Sequence, residues 1–129
     1  MKQHSLSLPL RVPISKNKNW SLNINQYRNA HYQVLSKAKN NYEKLVYQEV
    51  KNLPFMNRIG IRYSVFAPNK RRFDVNNIVS IVDKFFLDGL VKAGKLTDDD
   101  YRHVPETWNR FGGIDPQNPR VEIDIYYEN

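Results

Sequence analysis

The sequence predicts an α+β fold: one small domain over residues 1–129, with a mixed or antiparallel sheet backed by two helices. Two long segments repeat apolar residues every third or fourth position, as a helix with one buried face does. Three shorter segments alternate apolar and polar residues, as half-buried strands do. Proline, glycine or asparagine punctuates the joins, and the predicted order is β-α-β-α-β-β.

Leu6, Leu8 and Leu10 alternate with Ser5, Ser7 and Pro9 and predict a short edge strand, where a missing proline N–H is tolerated. The polar stretch SKNKNWSLNINQYRN reads as a loop. The first long helix is predicted over residues 30–52, with Val34, Leu35, Ala38, Tyr42, Leu45 and Val46 on one stripe. Glu49 is out of character on that stripe, and Pro54 ends the helix. Lys37, Lys44 and Lys51 recur beside it, either as a solvated face or as a cationic stripe.

Ile59, Ile61, Tyr63 and Val65 alternate with Arg58, Gly60, Arg62 and Ser64 in a half-buried strand that Pro68 and Asn69 break. The second helix is predicted over residues 76–93, with Asn76 or Asp74 as cap and Gly94 just past its end. Its packing side is Ile78, Val82, Phe85 and Phe86, flanked by Ile81 and Leu90. A strand is predicted over residues 101–110 and a turn over FGGIDPQNP. Val121, Ile123 and Ile125 alternate with Glu122, Asp124 and Tyr126 in the last strand.

Charge is distributed unevenly. Residues 1–73 hold 14 Lys and Arg against two acids, a balance of +12, whereas residues 74–129 hold six against 11, a balance of −5. All eight aspartates lie at or beyond Asp74. A basic half beside an acidic half points to an anionic partner gripped by one part and a hard cation held by the other. With no cysteine, disulfides and thiolate zinc sites are excluded. No apolar run has the length of a membrane span, and MKQHSLSLPLRVPIS lacks the apolar region of a signal peptide. The expectation is a cytoplasmic protein that does not engage a membrane.

Asn76, Ser80 and Asp83 fall on one helical face at i, i+4 and i+7, with Lys84 beside them. Lys84 and Asp88 are spaced i, i+4, either as an ordinary helix ion pair or as part of a site. Asp98, Asp99 and Asp100 follow the helix, either as a polar turn or as cation ligands. Asp74 lies about 25 Å from them along the helix axis unless the chain folds back. Lys70, Arg71 and Arg72 lead into Asp74, placed to hold phosphates. Lys16, Lys18 and Arg28 share the polar stretch with Trp20 and Tyr27, whose rings either stack on unpaired bases or belong to the core.

The runs RRFDVNN, VDKFFLDGLVKAG, TDDDYRHV and GGIDPQNPRVEIDI resemble, in that order, the RusA-like Holliday junction resolvases over about residues 70–125. These are small endodeoxyribonucleases often encoded by phages and prophages. The resemblance implies a homodimer that binds four-way DNA junctions and nicks opposing strands with Mg²⁺, or Mn²⁺, in a bacterial host cytoplasm. It implies a site of aspartates with one lysine. Asp74 matches the first aspartate of the family's Asp-x-Asp-Asn run and Asn77 its asparagine. Asn76 stands where the second aspartate is expected, so the charge there is missing and Asp83 is the candidate replacement. Lys84 matches the family lysine, four residues before Asp88. Asp99 fits the remaining catalytic position best, with Asp98 before it and Asp100 as the alternative. The implied catalytic set is Asp74, Asp83, Lys84 and Asp99. Asn76 and Asp98 are the further metal ligands, and Lys16, Lys18, Arg28, Lys70, Arg71 and Arg72 the DNA contacts.

Overall fold

A computed structural model describes residues 1–128. The chain begins with β1 (Lys2–Leu8), whose Leu6 and Leu8 point inward, and continues into a hairpin of β2 (Arg11–Ser15) and β3 (Lys18–Ser21). The short helix α1 (Ile24–Asn29) follows, capped by Asn23, whose side chain accepts from the Gln26 N–H. Then come α2 (Tyr32–Val50), β4 (Ile59–Ala67), α3 (Val75–Lys92), β5 (Glu106–Ile114) and β6 (Arg120–Tyr127).

β1, β6, β4 and β5 form one four-stranded sheet in that spatial order. β6 is antiparallel to both β1 and β4, and β5 is parallel to β4, so the sheet is mixed. β2 and β3 form a separate two-stranded sheet. The parallel β4–β5 pair follows from the long crossover through α3, which returns the chain to the end of the sheet where β4 began.

The expected α+β class and the two long helices stand; the polar stretch 15–29 differs. It holds β3 and α1, because Trp20 and Leu22 are buried and recruit their neighbours into structure. Trp20, Leu22 and Ile24 alternate with Ser21 and Asn23, but this short alternation runs from the end of β3 into the start of α1 and so marks neither. β5 also differs from expectation: it starts at Glu106, and Gly112 and Gly113 lie inside it. The register slips between Val65 and Phe66 opposite these glycines, a bulge that Gly113 at φ 139° permits. The turn is confined to the residues between Ile114 and Arg120.

Both long helices cover one face of the large sheet. Tyr42, Val46, Phe85, Phe86, Tyr63 and Ile123 are fully buried between them. α2 and α3 approach closely at Gly89, where an added Cβ would lie 2.8 Å from Val46 Cγ1. On α2 the buried acid is Glu43 and not Glu49, which is exposed. Lys92 of α3 reaches Glu43 Oε1 at 2.7 Å and neutralises it. Lys37, Lys44 and Lys51 are all exposed. No helix among the described residues is long and apolar enough to cross a membrane.

Candidate functional site

Asp74 caps α3 by position, with extended backbone (φ −93°, ψ 124°) but no side-chain cap bond. Its Oδ2 lies 3.5 Å from Asn77 Nδ2. Exposed and free of an ion pair among the described residues, it borders a cleft of about 640 Å³ lined by Asn23, Asn25, Arg72, Phe73, Asn77 and Ile78. α1 therefore forms one wall of the cleft and the start of α3 the other. Arg72 is exposed there, and Lys70 and Arg71, also exposed, precede it in the chain. Arg28 is exposed at the far end of α1, and Lys16 and Lys18 are exposed at the β2–β3 turn.

Asn76 and Asp83 do share a face of α3, as their spacing predicts. That face borders the β4–β5 side of the sheet, with Asn76 and Ser80 exposed and Asp83 half-buried. Asn76 Oδ1 accepts from Asn109 Nδ2 of β5 at 2.8 Å. Asp83 Oδ1 accepts from the hydroxyl of Tyr63 of β4 at 2.5 Å. Tyr63 and Asn109 are direct neighbours in the β4–β5 register, so two adjacent positions of the sheet hold two turns of the helix. A phenol sunk in a core needs a polar partner for its hydroxyl, and Asp83 is that partner. Alternation alone marks Tyr63 as a core residue and conceals this role.

The chain beyond Gly94 folds back. Gly94 adopts φ 74°, the Lys95 N–H bonds to Leu90 O, Met56 N–H bonds to Lys95 O and Ile59 N–H bonds to His103 O. Asp100 locks the return by accepting from Arg102 Nη2 at 2.6 Å and lying 2.6 Å from His103 Nδ1. Arg102, then His103, hold the Asp100 carboxyl down at about 2. Asp100 is thereby committed to its loop. Asp98 Oδ1 accepts from the Asp99 N–H at 2.7 Å, and the Asp99 carboxylate is left exposed.

This return brings Asp99 into electrostatic reach of Asp83. Burial raises the Asp83 carboxyl above its usual range, the Tyr63 hydrogen bond opposes that, and the Asp99 charge raises it further. Asp99 is raised by partial burial, then by Asp98 at its side and by the charge of Asp88. Asp99 pushes Asp83 upward while Asp98 and Asp88 push Asp99, and a hard cation would relieve such a cluster.

Asp74 is not part of that pair: nine residues of helix, a rise of about 13 Å, separate it from Asp83. Among the described residues no three His, Asp or Glu side chains gather into a metal cage. Asp83 and Asp99 are of the donor type that Mg²⁺ takes, one or two carboxylates with water and phosphate oxygen filling its remaining positions.

Lys84 is exposed beside Asp83, its Nζ 5.8 Å from the centre of the Tyr27 ring on α1. Its positive charge lowers Asp83. The i, i+4 partnership with Asp88 is not formed, because Asp88 bonds to Lys39 of α2 at 2.8 Å. Lys84 thus forms no ion pair among the described residues and has the Tyr27 ring and the Asp83 carboxylate for neighbours.

A second cleft, of about 720 Å³, opens across the sheet from the helices and includes Arg58, Arg62, Trp108 and Tyr126. Glu106 and Glu128 line it as well, and Asp124 on the same sheet face is engaged by Arg62 at 2.8 Å and Ser5 at 2.6 Å. None of the candidate aspartates, Asp74, Asp83, Asp98 or Asp99, lines this cleft. No protein-family model matches the chain, and no curated protein matches it.

Proposed function

We propose that this protein is a metal-dependent, structure-selective endonuclease that nicks branched DNA, four-way junctions above all, in the manner of the RusA-like resolvases its motifs resemble. The observation that carries this reading is Asp83 on α3, aimed by the Tyr63 hydroxyl and within electrostatic reach of Asp99, with Lys84 alongside and the exposed Lys70–Arg72 run leading into the helix.

Asp83 and Asp99 would hold the Mg²⁺ ion, which supplies Lewis-acid stabilisation of the phosphodiester and an acidified water. Tyr63 keeps the Asp83 carboxylate aimed by hydrogen-bonding one oxygen and leaving the other available. The Asp100–Arg102–His103 lock sets where Asp99 stands. Lys84 is free to neutralise charge on the scissile phosphate. Arg71, Arg72 and Lys70 contact flanking phosphates, and binding weakens with salt accordingly. Asp74 and Asn77 face the cleft at the helix start and contact DNA there through hydrogen bonds or a bridging ion.

The test compares an end-labelled four-way junction with a linear duplex of the same arms, with Mg²⁺, with Mn²⁺ and with neither. Symmetric nicks in the junction alone, dependent on the ion, support the reading. A second reading, a junction-binding protein without nuclease activity, is favoured by Asn76, which lacks the charge and bonds to Asn109. Tight, salt-sensitive junction binding with no nicks in either ion would establish it in place of the first.

A further inference from the structure

β5 lies at the edge of the large sheet, and eight of its nine residues are exposed. Long edge strands are ordinarily blunted by charged side chains, lysine above all, by proline or by a bulge, because unpaired backbone groups recruit another strand. The six residues 106–111, ETWNRF, hold no lysine or proline, the bulge falls beyond them, and their two charges, Glu106 and Arg110, are of opposite sign. The register with β4 turns Glu106, Trp108 and Arg110 to the open face of the sheet, and Thr107, Asn109 and Phe111 to the helix face. Glu106 and Arg110 form no ion pair among the described residues. Arg110 spends only its Nε, donated to Ser64 at 2.7 Å. Trp108 stands edge-on to Tyr126 with ring centres 6.2 Å apart, and is 45% exposed.

We infer that β5 pairs antiparallel with β5 of a second copy, about a two-fold axis through Trp108, to make one continuous eight-stranded sheet. A two-fold axis between antiparallel strands stands perpendicular to the sheet and passes through one residue position. With the axis at Trp108, each Glu106 lies opposite the partner's Arg110 on the open face, and the two Trp108 rings meet between these ion pairs. Thr107 lies opposite the partner's Asn109 on the helix face. An axis at Glu106 or Arg110 would set like charges against each other, and axes at Thr107 or Asn109 leave Glu106 and Arg110 unmatched. The strand thus carries its own charge complement in one register.

The consequence for the site rests on the nuclease reading. This axis leaves both copies of α3 on the same side of the joined sheet, with Asn109, next to the axis, bonded to Asn76 at the head of each helix. The two cationic runs and the two carboxylate pairs then flank one dyad, matching the two-fold symmetry of a four-way junction.

Sedimentation of the full chain without DNA tests the pairing. The wild type should be dimeric at tens of micromolar. Glu106→Arg and Arg110→Glu should each raise the dimer dissociation constant on the order of tenfold or more, since each places two like-charged pairs at the interface. The double swap should restore it. A monomeric wild type overturns the inference and leaves the edge for another protein's strand. A dimer indifferent to the single reversals, or a double swap that stays monomeric, overturns it equally. The nuclease reading is tested apart: a paired dimer that does not nick junctions defeats that reading alone, and a nicking monomer defeats the pairing alone.

Discussion

The hydroxyl of Tyr63, buried on β4, donates to Asp83 on α3, so the carboxylate on the inner face of that helix is aimed by the core itself. Tyr63→Phe removes the donor and keeps the ring. The fold should lose about 1–3 kcal/mol, the range for an orphaned buried polar group. The Asp83 carboxyl should titrate higher still, because the Tyr63 bond is what opposes burial. Urea unfolding and carboxyl-selective NMR titration check both; an unmoved Asp83 would show that the hydrogen bond does not set its ionisation.

The raised Asp83 carboxyl links stability to pH. Above the usual value of 3.8 the folded chain still holds a proton that the unfolded chain has released. This group's contribution therefore falls as pH rises from about 4 through its folded value. Asp83→Asn abolishes that slope. The stability of the variant relative to wild type should increase with pH across this window and level off above it. A pH-independent difference would remove the linkage.

Asp99→Asn takes away a charge that raises Asp83. Asp83 should then titrate lower, an effect visible without DNA or metal. Junction nicking should be lost while junction binding is kept or strengthened, since a negative charge near phosphate is gone. Nicking at the wild-type rate would remove Asp99 from the catalytic set.

Gly89→Ala sets a methyl 2.8 Å from Val46 Cγ1 at the α2–α3 crossing. Overpacking of this kind costs about 1–3 kcal/mol. A thermal melt should fall by several degrees, and pairing the change with Val46→Ala should recover part of the loss. Failure of the second change to help would mean that the helices shift apart freely.

Lys92→Met strands the Glu43 carboxylate, whose other oxygen already has no partner among the described residues. Lys92 is itself 62% exposed, so the loss should be about 1–3 kcal/mol, below that of a wholly buried pair. The double change with Glu43→Leu should regain most of it in the same unfolding assay.

Periodicity is visible wherever one face of an element is uniformly apolar, which is why α2, α3, β4 and β6 are legible from residues alone. β3 and α1 are not, because Trp20 and Leu22 sit among asparagines and become core only once α2 and α3 supply a surface to cover. The same limit applies to the candidate site. Helical spacing places Asn76 and Asp83 on one face, but only packing decides that the face meets Tyr63 and Asn109. Lys84 and Asp88 have the spacing of a pair, yet Lys39 on another helix lies nearer to Asp88 and takes it.

The sequence by itself determined the α+β class, the basic and acidic halves and the carboxylate stock, because local periodicity and charge are properties of neighbours along the chain. Tertiary structure alone decided which carboxylates meet. Asp99 reaches Asp83 because Gly94 turns the chain and Asp100 locks the return, whereas a helical rise that no side chain can span keeps Asp74 apart.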